Sequence, residues 1–167
     1  MAENILKNLN LFADGRDYVG KVNSVTPPPL TIITEDYRPG GRDMAEKVDL
    51  GMEPLEASFE LGSYDPEIFK LFGWKKGDPT AFVFRGAAQS DDGTVTAIII
   101  TMRGRITSIE RESWTPGEMA PVSVTIAASY YKEDIGGDVV VEIDGANMKR
   151  IIGGVDQLAD IRGALGF

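Results

Sequence analysis

Residues 94–110 read TVTAIIITMRGRITSIE, and the fold turns on what that run becomes. It is crowded with β-branched side chains: Thr94, Val95, Thr96, Ile98, Ile99, Ile100, Thr101, Ile106, Thr107 and Ile109. Such side chains are stiff at χ1 and fit a pleated surface better than a helix. As a strand the run is about three times the usual length. At about 3.3 Å per residue it would extend roughly 55 Å if unbroken. A domain of this size does not need that reach, so the strand either bends at Gly104 or projects beyond its own core.

Two further apolar runs flank it, 81–88 and 122–131. The second alternates cleanly. Val122, Val124, Ile126, Ala128 and Tyr130 point one way, and Ser123, Thr125, Ala127, Ser129 and Tyr131 the other. The first set predicts a core face. The second predicts a small, mildly polar face that meets solvent, a partner or a lumen.

Working outward toward the N-terminus, Leu55–Leu61 alternates in the same manner, with Leu55, Ala57, Phe59 and Leu61 facing in. A short helix follows. Asp65 is placed to cap it, Pro66 suits its first position, Glu67 complements the positive end of its dipole, and Gly73 stops it. Ile68, Phe69, Leu71 and Phe72 form its apolar stripe, and two turns cannot stand without packing on a sheet. Nearer the start, residues 10–25 read as a hairpin about the Asp14-Gly15 turn signal. Pro27, Pro28 and Pro29 end it, since proline cannot donate to a ladder. Residues 30–34 read as a short strand.

The odd segment is 35–54, EDYRPGGRDMAEKVDLGMEP. It has few large apolar residues, a Pro-Gly-Gly break at 39–41 and mixed charge. The expectation is a long loop, either mobile or an arm that orders on a partner. Toward the C-terminus, Asp138–Asp144 reads as a strand with Val139, Val141 and Ile143 on one side. Residues 153–162 read as a loop into a short helix whose stripe is Val155, Leu158, Ile161, Arg162 and Leu165. The fold class is mainly β, a sandwich or barrel with one or two short α-helices, in a single domain over 1–167.

The totals restrict function. The chain of 167 residues has no cysteine and no histidine. This excludes disulfides and thiol nucleophiles, and removes the commonest general base and most zinc chemistry. A net charge of −9 opposes nucleic-acid binding through phosphate neutralisation, yet suits a surface that nucleic acid passes without sticking. No apolar run reaches the roughly 18 residues of a membrane span. The N-terminus lacks the pattern of a signal peptide, so cytoplasmic synthesis is expected. No phosphate-loop or dinucleotide-loop motif is present. Glu110 and Glu112 are alternate residues, as paired acids would need, but nothing apolar brackets them. Ser90-Asp91-Asp92-Gly93 lacks the remaining ligands of a calcium loop. Arg103 and Arg105 share one face of the long strand and suit pairing with acids of a neighbouring strand or subunit. No catalytic residue, metal site or cofactor is assigned.

A collinear set of short pieces adds to this reading. Asn10-Leu11-Phe12 comes with Asp14-Gly15, then residues 24–30, Glu35, Tyr37-Arg38, Gly40-Gly41 and Val48-Asp49-Leu50-Gly51. Met102-Arg103-Gly104-Arg105, Tyr130-Tyr131 and Glu142-Ile143-Asp144 with Asn147 follow. The set ends in Gly154-Val155-Asp156-Gln157-Leu158, Arg162 and Leu165-Gly166. In these pieces and their order the chain resembles the major tail tube proteins of contractile-tailed bacteriophages of the P2-like group and of R-type pyocins. It departs at Gly153, where asparagine is common, and in its Gly166-Phe167 end.

The resemblance implies a subunit without catalytic activity, forming hexameric rings that stack into the inner tube of a phage tail or tailocin. The central channel would pass DNA or ions. Residues 35–54 would be the arm that contacts an adjacent ring or subunit, through Tyr37, Arg38, Gly40, Gly41, Arg42 and Asp49. Arg103, Arg105, Ser123, Thr125 and Ser129 would lie at an inter-subunit or lumen-side strand. The implied partners are further copies of the chain, a sheath, a tape-measure protein and baseplate hub proteins. DNA would pass unbound, and the subunit would not bind membrane by itself. Two other readings remain: a hexameric secreted tube protein of a type VI secretion-like system, and a carboxylate hydrolase around Glu110 and Glu112.

Overall fold

Asp14 and Gly15 both take positive φ, 51° and 76°, as a tight hairpin turn between twisted strands demands. In the computed structural model, which describes residues 4–74 and 76–166, they join β1 (Ile5–Ala13) to β2 (Arg16–Asp17). The return strand is shorter than the expected hairpin over 10–25. Tyr18 turns into the core and Val19 out to solvent. The chain then leaves β1. β3 (Val22–Thr26) pairs instead with β6 (Leu55–Leu61).

Between β3 and β6, the segment expected as a long loop is a β-hairpin. β4 (Ile32–Tyr37) and β5 (Glu46–Met52) pair antiparallel and form a separate two-stranded sheet. The start of β4 falls in the short strand expected over 30–34, but the rest of the hairpin carries mixed apolar and charged residues with no clean alternation to mark it. The same charges hold the register, with Lys47 Nζ 3.1 Å from Asp36 Oδ1 on the directly opposite residue.

α1 (Pro66–Lys70) begins where the caps predict. The Glu67 amide donates to Asp65 Oδ1 at 3.0 Å. Ile68 is fully buried, and Phe69 and Leu71 pack on the core. Phe72, the fourth member of the stripe, does not. It lies past the C-cap residue Leu71, bridges to Ile106, and remains exposed.

The remaining elements are β7 (Thr80–Gln89), β8 (Val95–Arg111), β9 (Val122–Ile135), β10 (Asp138–Asp144), β11 (Lys149–Ile152), β12 (Val155–Asp156) and α2 (Ala159–Ala164). β8 is the long run of the sequence. It pairs with β7 only through residues 95–104, so its far half projects past the start of β7. On its other side β9 pairs with it from Ile98 to Arg111 but changes its own second partner. Residues 122–128 of β9 pair with β6, and residues 130–135 pair with β10. The sheet therefore forks along the β8–β9 hairpin. One branch carries β6 and β3, and the other carries β10, β11 and β12.

The fork sits at a bulge. Arg103 pairs with Tyr130 but Gly104 with Ala128, which leaves Ser129 as the extra residue. The backbones close in here. A Cβ at Gly104 would lie 2.2 Å from the Ala127 carbonyl oxygen, so only glycine fits. The strand thus both bends at Gly104 and projects beyond β7. The inserted residue also reverses the alternation of β9. Val122, Val124 and Ile126 face in, but beyond Ser129 it is Tyr131, not Tyr130, that is buried. A second shift, between Val139 and Val141, turns Val139 outward and sets Val140 against the core.

The core lies where the curling sheet folds over itself. Phe59 of β6 meets Phe82 and Phe84 of β7 with ring centroids 6.2 and 6.3 Å apart. Burying each such ring contributes about 2–3 kcal/mol. Leu11 of β1, Met102 and Ile106 of β8, and Ile126 of β9 are all fully buried around them.

Gly104→Ala should cost about 3 kcal/mol, because the new methyl meets backbone and not a movable side chain. In a chain of this size that lowers the unfolding midpoint by roughly 6–12 °C. Gly40→Ala, with open space around the added methyl, should stay within about 0.5 kcal/mol. Differential scanning calorimetry on both variants checks the contrast.

Candidate assembly surfaces

The β4–β5 hairpin reverses through residues 38–45. Gly41 takes φ 85° and the Arg42 amide donates to the Pro39 carbonyl at 3.4 Å. Gly40 needs no left-handed conformation, so Gly41 makes the reversal. Arg42 pairs with Glu46 across the turn, which holds the tip on itself. Arg38 stays exposed. The hairpin is unusually apolar for something that stands off the core. Ile32, Ile33, Val48 and Leu50 are 40–55 % exposed, and Tyr37 and Met44 are 59 % and 75 % exposed. An isolated two-stranded hairpin is marginal in water, and a cluster of exposed apolar residues on one is the mark of a docking surface.

Asp49 does not share this outward aim. Its Oδ2 accepts from Arg150 Nη2 at 2.5 Å, and its Oδ1 accepts from the Gly51 amide at 2.8 Å. The Arg150 hydrogen bond, then the Gly51 amide, hold the Asp49 carboxyl below its ordinary value. Arg150 is 7 % exposed and was not singled out in the sequence. Its position on β11 opposite the buried Ile143 would have marked it once strand pairing was known.

The second surface is the outer face of the forked sheet. Across β6, β9 and β8, register sets three rows side by side. They are Glu56, Ala127 and Arg105; Ser58, Thr125 and Ser108; and Glu60, Ser123 and Glu110. The middle strand contributes small residues and the flanks contribute carboxylates. Asn23 Nδ2 donates to Glu60 Oε1 at 3.1 Å, and Arg105 Nη2 to the Gly77 carbonyl at 3.3 Å. Past the bulge, the Ser129 hydroxyl donates to the Arg103 carbonyl at 3.2 Å. The Arg103 guanidinium lies 5.2 Å from the centre of the Tyr130 ring. Arg103, Arg105, Ser123 and Thr125 thus fall on one continuous face, with Ser129 at its crease. Glu112 does not join Glu110, because β8 ends at Arg111 and Glu112 lies in the following loop.

The third surface is the C-terminal helix. Its expected apolar stripe does not form one buried face: Val155 lies on β12, and only Leu158 of its apolar members is half-buried. Val155, Ile161 and Leu165 are 51–65 % exposed, while Arg162 turns toward the protein. Arg162 Nη1 donates to the Met148 carbonyl at 3.0 Å and Nη2 to Asp156 Oδ2 at 2.6 Å. The Arg162 bond holds Asp156 below the usual carboxylate range. Asp144 and Asn147 make the neighbouring β10–β11 turn through a 2.7 Å side-chain bond.

What the hairpin and the C-terminal helix share is exposed apolar groups. The family model of phage tail tube protein FII matches residues 3–166. The chain belongs to that family. It is 34 % identical over 166 residues to the tail tube protein of Escherichia phage P2, covering 97 % of this chain and 96 % of the relative. It is 33 % identical over 144 residues to the major tail tube protein of Serratia phage KSP20, covering 85 % and 83 %. In fold it is similar to a chain of an extracellular contractile injection system sheath–tube complex, with TM-score 0.57, 13 % identity and 76 % and 88 % of the two chains covered. It is likewise similar to a chain of the anti-feeding prophage tube-terminating cap, with TM-score 0.60, 12 % identity and coverage of 80 % and 93 %. The member described here is accordingly a structural tail tube subunit and not an enzyme, which retires the hydrolase reading of Glu110 and Glu112.

Because the Asp49 carboxyl titrates below its ordinary value, the stability its pair contributes is present above about pH 4 and is lost as pH falls through the lowered value. The Gly51 amide reports on it directly. Its NMR shift should move with a midpoint below 3.8, measured on dilute protein to limit precipitation near the isoelectric point of about 4.5. A midpoint at or above 3.8 would contradict the bonding described.

Proposed function

We infer that copies of this chain form hexameric rings that stack into the hollow inner tube of a contractile tail, with residues 35–54 as the arm that engages a neighbouring copy. The observation that carries this reading is the β4–β5 hairpin, which exposes Ile32, Tyr37, Met44 and Leu50 and, among the described residues, pairs with no other strand. Such a hairpin gains its stability when a second surface covers it. Tyr37, Arg38 and Arg42 supply contacts at its end, Gly41 the reversal, and Asp49 the attachment at its root.

The Ser123 and Thr125 face becomes the channel wall in this arrangement. Small hydroxyls offer no grip, and Glu56, Glu60 and Glu110 repel a passing polyanion at close range. Arg103 and Arg105 sit toward the crease, where they suit the acids of an adjoining subunit. Closing sheets from several subunits into one barrel also removes their open edges. The outside of the tube faces a sheath, its lumen holds a tape-measure protein before DNA or ions pass, and one end meets baseplate hub proteins. The subunit is made in the host cytoplasm and works in a virion tail or tailocin.

Negative-stain electron microscopy with light scattering on the purified protein tests the assembly. The expected result is six-fold rings or stacked hollow tubes. A subunit that stays monomeric at high concentration and fails to extend preformed tube ends would overturn the reading.

A further inference from the structure

Arg150 joins parts of the chain that are far apart in sequence. Its guanidinium is buried, its Nη2 bonds Asp49 at 2.5 Å, and its Nε has no partner among the described residues. A buried cation with an unmet donor depends strongly on the one carboxylate it holds. Asp49 is itself fixed at both oxygens, since Oδ1 takes the amide of Gly51, where the backbone turns through φ 111°. On the other side, the Arg150 carbonyl accepts from the Gln157 amide at 2.8 Å. Adjacent Asp156 then binds Arg162 of α2 at 2.6 Å. The Arg150 side chain therefore ties β5 of the hairpin to β11, and the main chain of the same residue, through residues 156–157, ties β11 to α2.

We propose that Arg150 is a positioning residue for assembly. It sets the direction in which the hairpin leaves the body and locks that direction to α2. The apolar hairpin and the exposed Ile161 and Leu165 then reach neighbouring copies as one preset surface. Ordering them beforehand removes a cost that each docking event would otherwise carry. The proposal rests on the tube reading of the preceding subsection.

The test uses Asp49→Glu, which keeps the charge pair, and the double variant Asp49→Ala with Arg150→Met. The double variant removes both charges together, so no unpaired cation is left to unfold the body. Three quantities are read: the thermal midpoint, hydrogen exchange at residues 46–52 in the unassembled subunit, and the critical concentration for tube growth. The double variant should keep a midpoint close to the parent's, with exchange and critical concentration each rising about tenfold. Asp49→Glu should recover most of both. Unchanged exchange at 46–52 in the double variant overturns the latch itself. Faster exchange with an unchanged critical concentration overturns its role in assembly. Parent protein that forms no tubes while the exchange still responds overturns the tube reading, and the assembly role with it, but leaves the latch standing.

Discussion

The close passage of Gly104 against the Ala127 carbonyl is the constraint on which the rest of the architecture depends. Two long strands cannot stay paired side by side and also serve two differently directed sheets unless they bend together. The bend needs one extra residue on β9, Ser129, and a position on β8 with no side chain toward the partner backbone. Gly104 supplies it. From that crease one branch of the sheet carries β6 and β3, and the other carries β10, β11 and β12. The core rings Phe59, Phe82 and Phe84 fill the concavity this creates.

The crease also sorts the surfaces. On its outer side register lines up carboxylates of β6 and β8 around the hydroxyls of β9. The fork sends β11 toward the base of the β4–β5 hairpin, where Arg150 meets Asp49. Several residues of the collinear set that marks the family prove to be intrachain fastenings. Asp49 ties the hairpin, Asp144 and Asn147 close a turn, and Asp156 with Arg162 clamps α2.

Family and fold class were legible in the sequence because they rest on local signals. β-branched composition declares strands, Asp14-Gly15 a turn, and Asp65-Pro66 a helix start, each through interactions a few residues long. Beyond residue 34 the hairpin reads as a loop in the sequence because its pairing is specified across the turn, as by Asp36 with Lys47, and not by apolar alternation. The face of Tyr130 and Tyr131 was misassigned because a bulge reverses alternation and is written in the partner strand, at Gly104.

By itself, then, the sequence determined a mainly β chain without cysteine or histidine chemistry, acidic in net charge, and built from the pieces of a tail tube protein. Tertiary structure alone decided which apolar residues stay uncovered and which charges are consumed internally. Burial and pairing belong to positions distant along the chain: Asp49 and Arg150 stand 101 residues apart. The stripe on α2 shows the same limit, for an apolar helical face predicts burial only if the protein places something against it. Here it places Arg162 inward and leaves Ile161 and Leu165 to the outside.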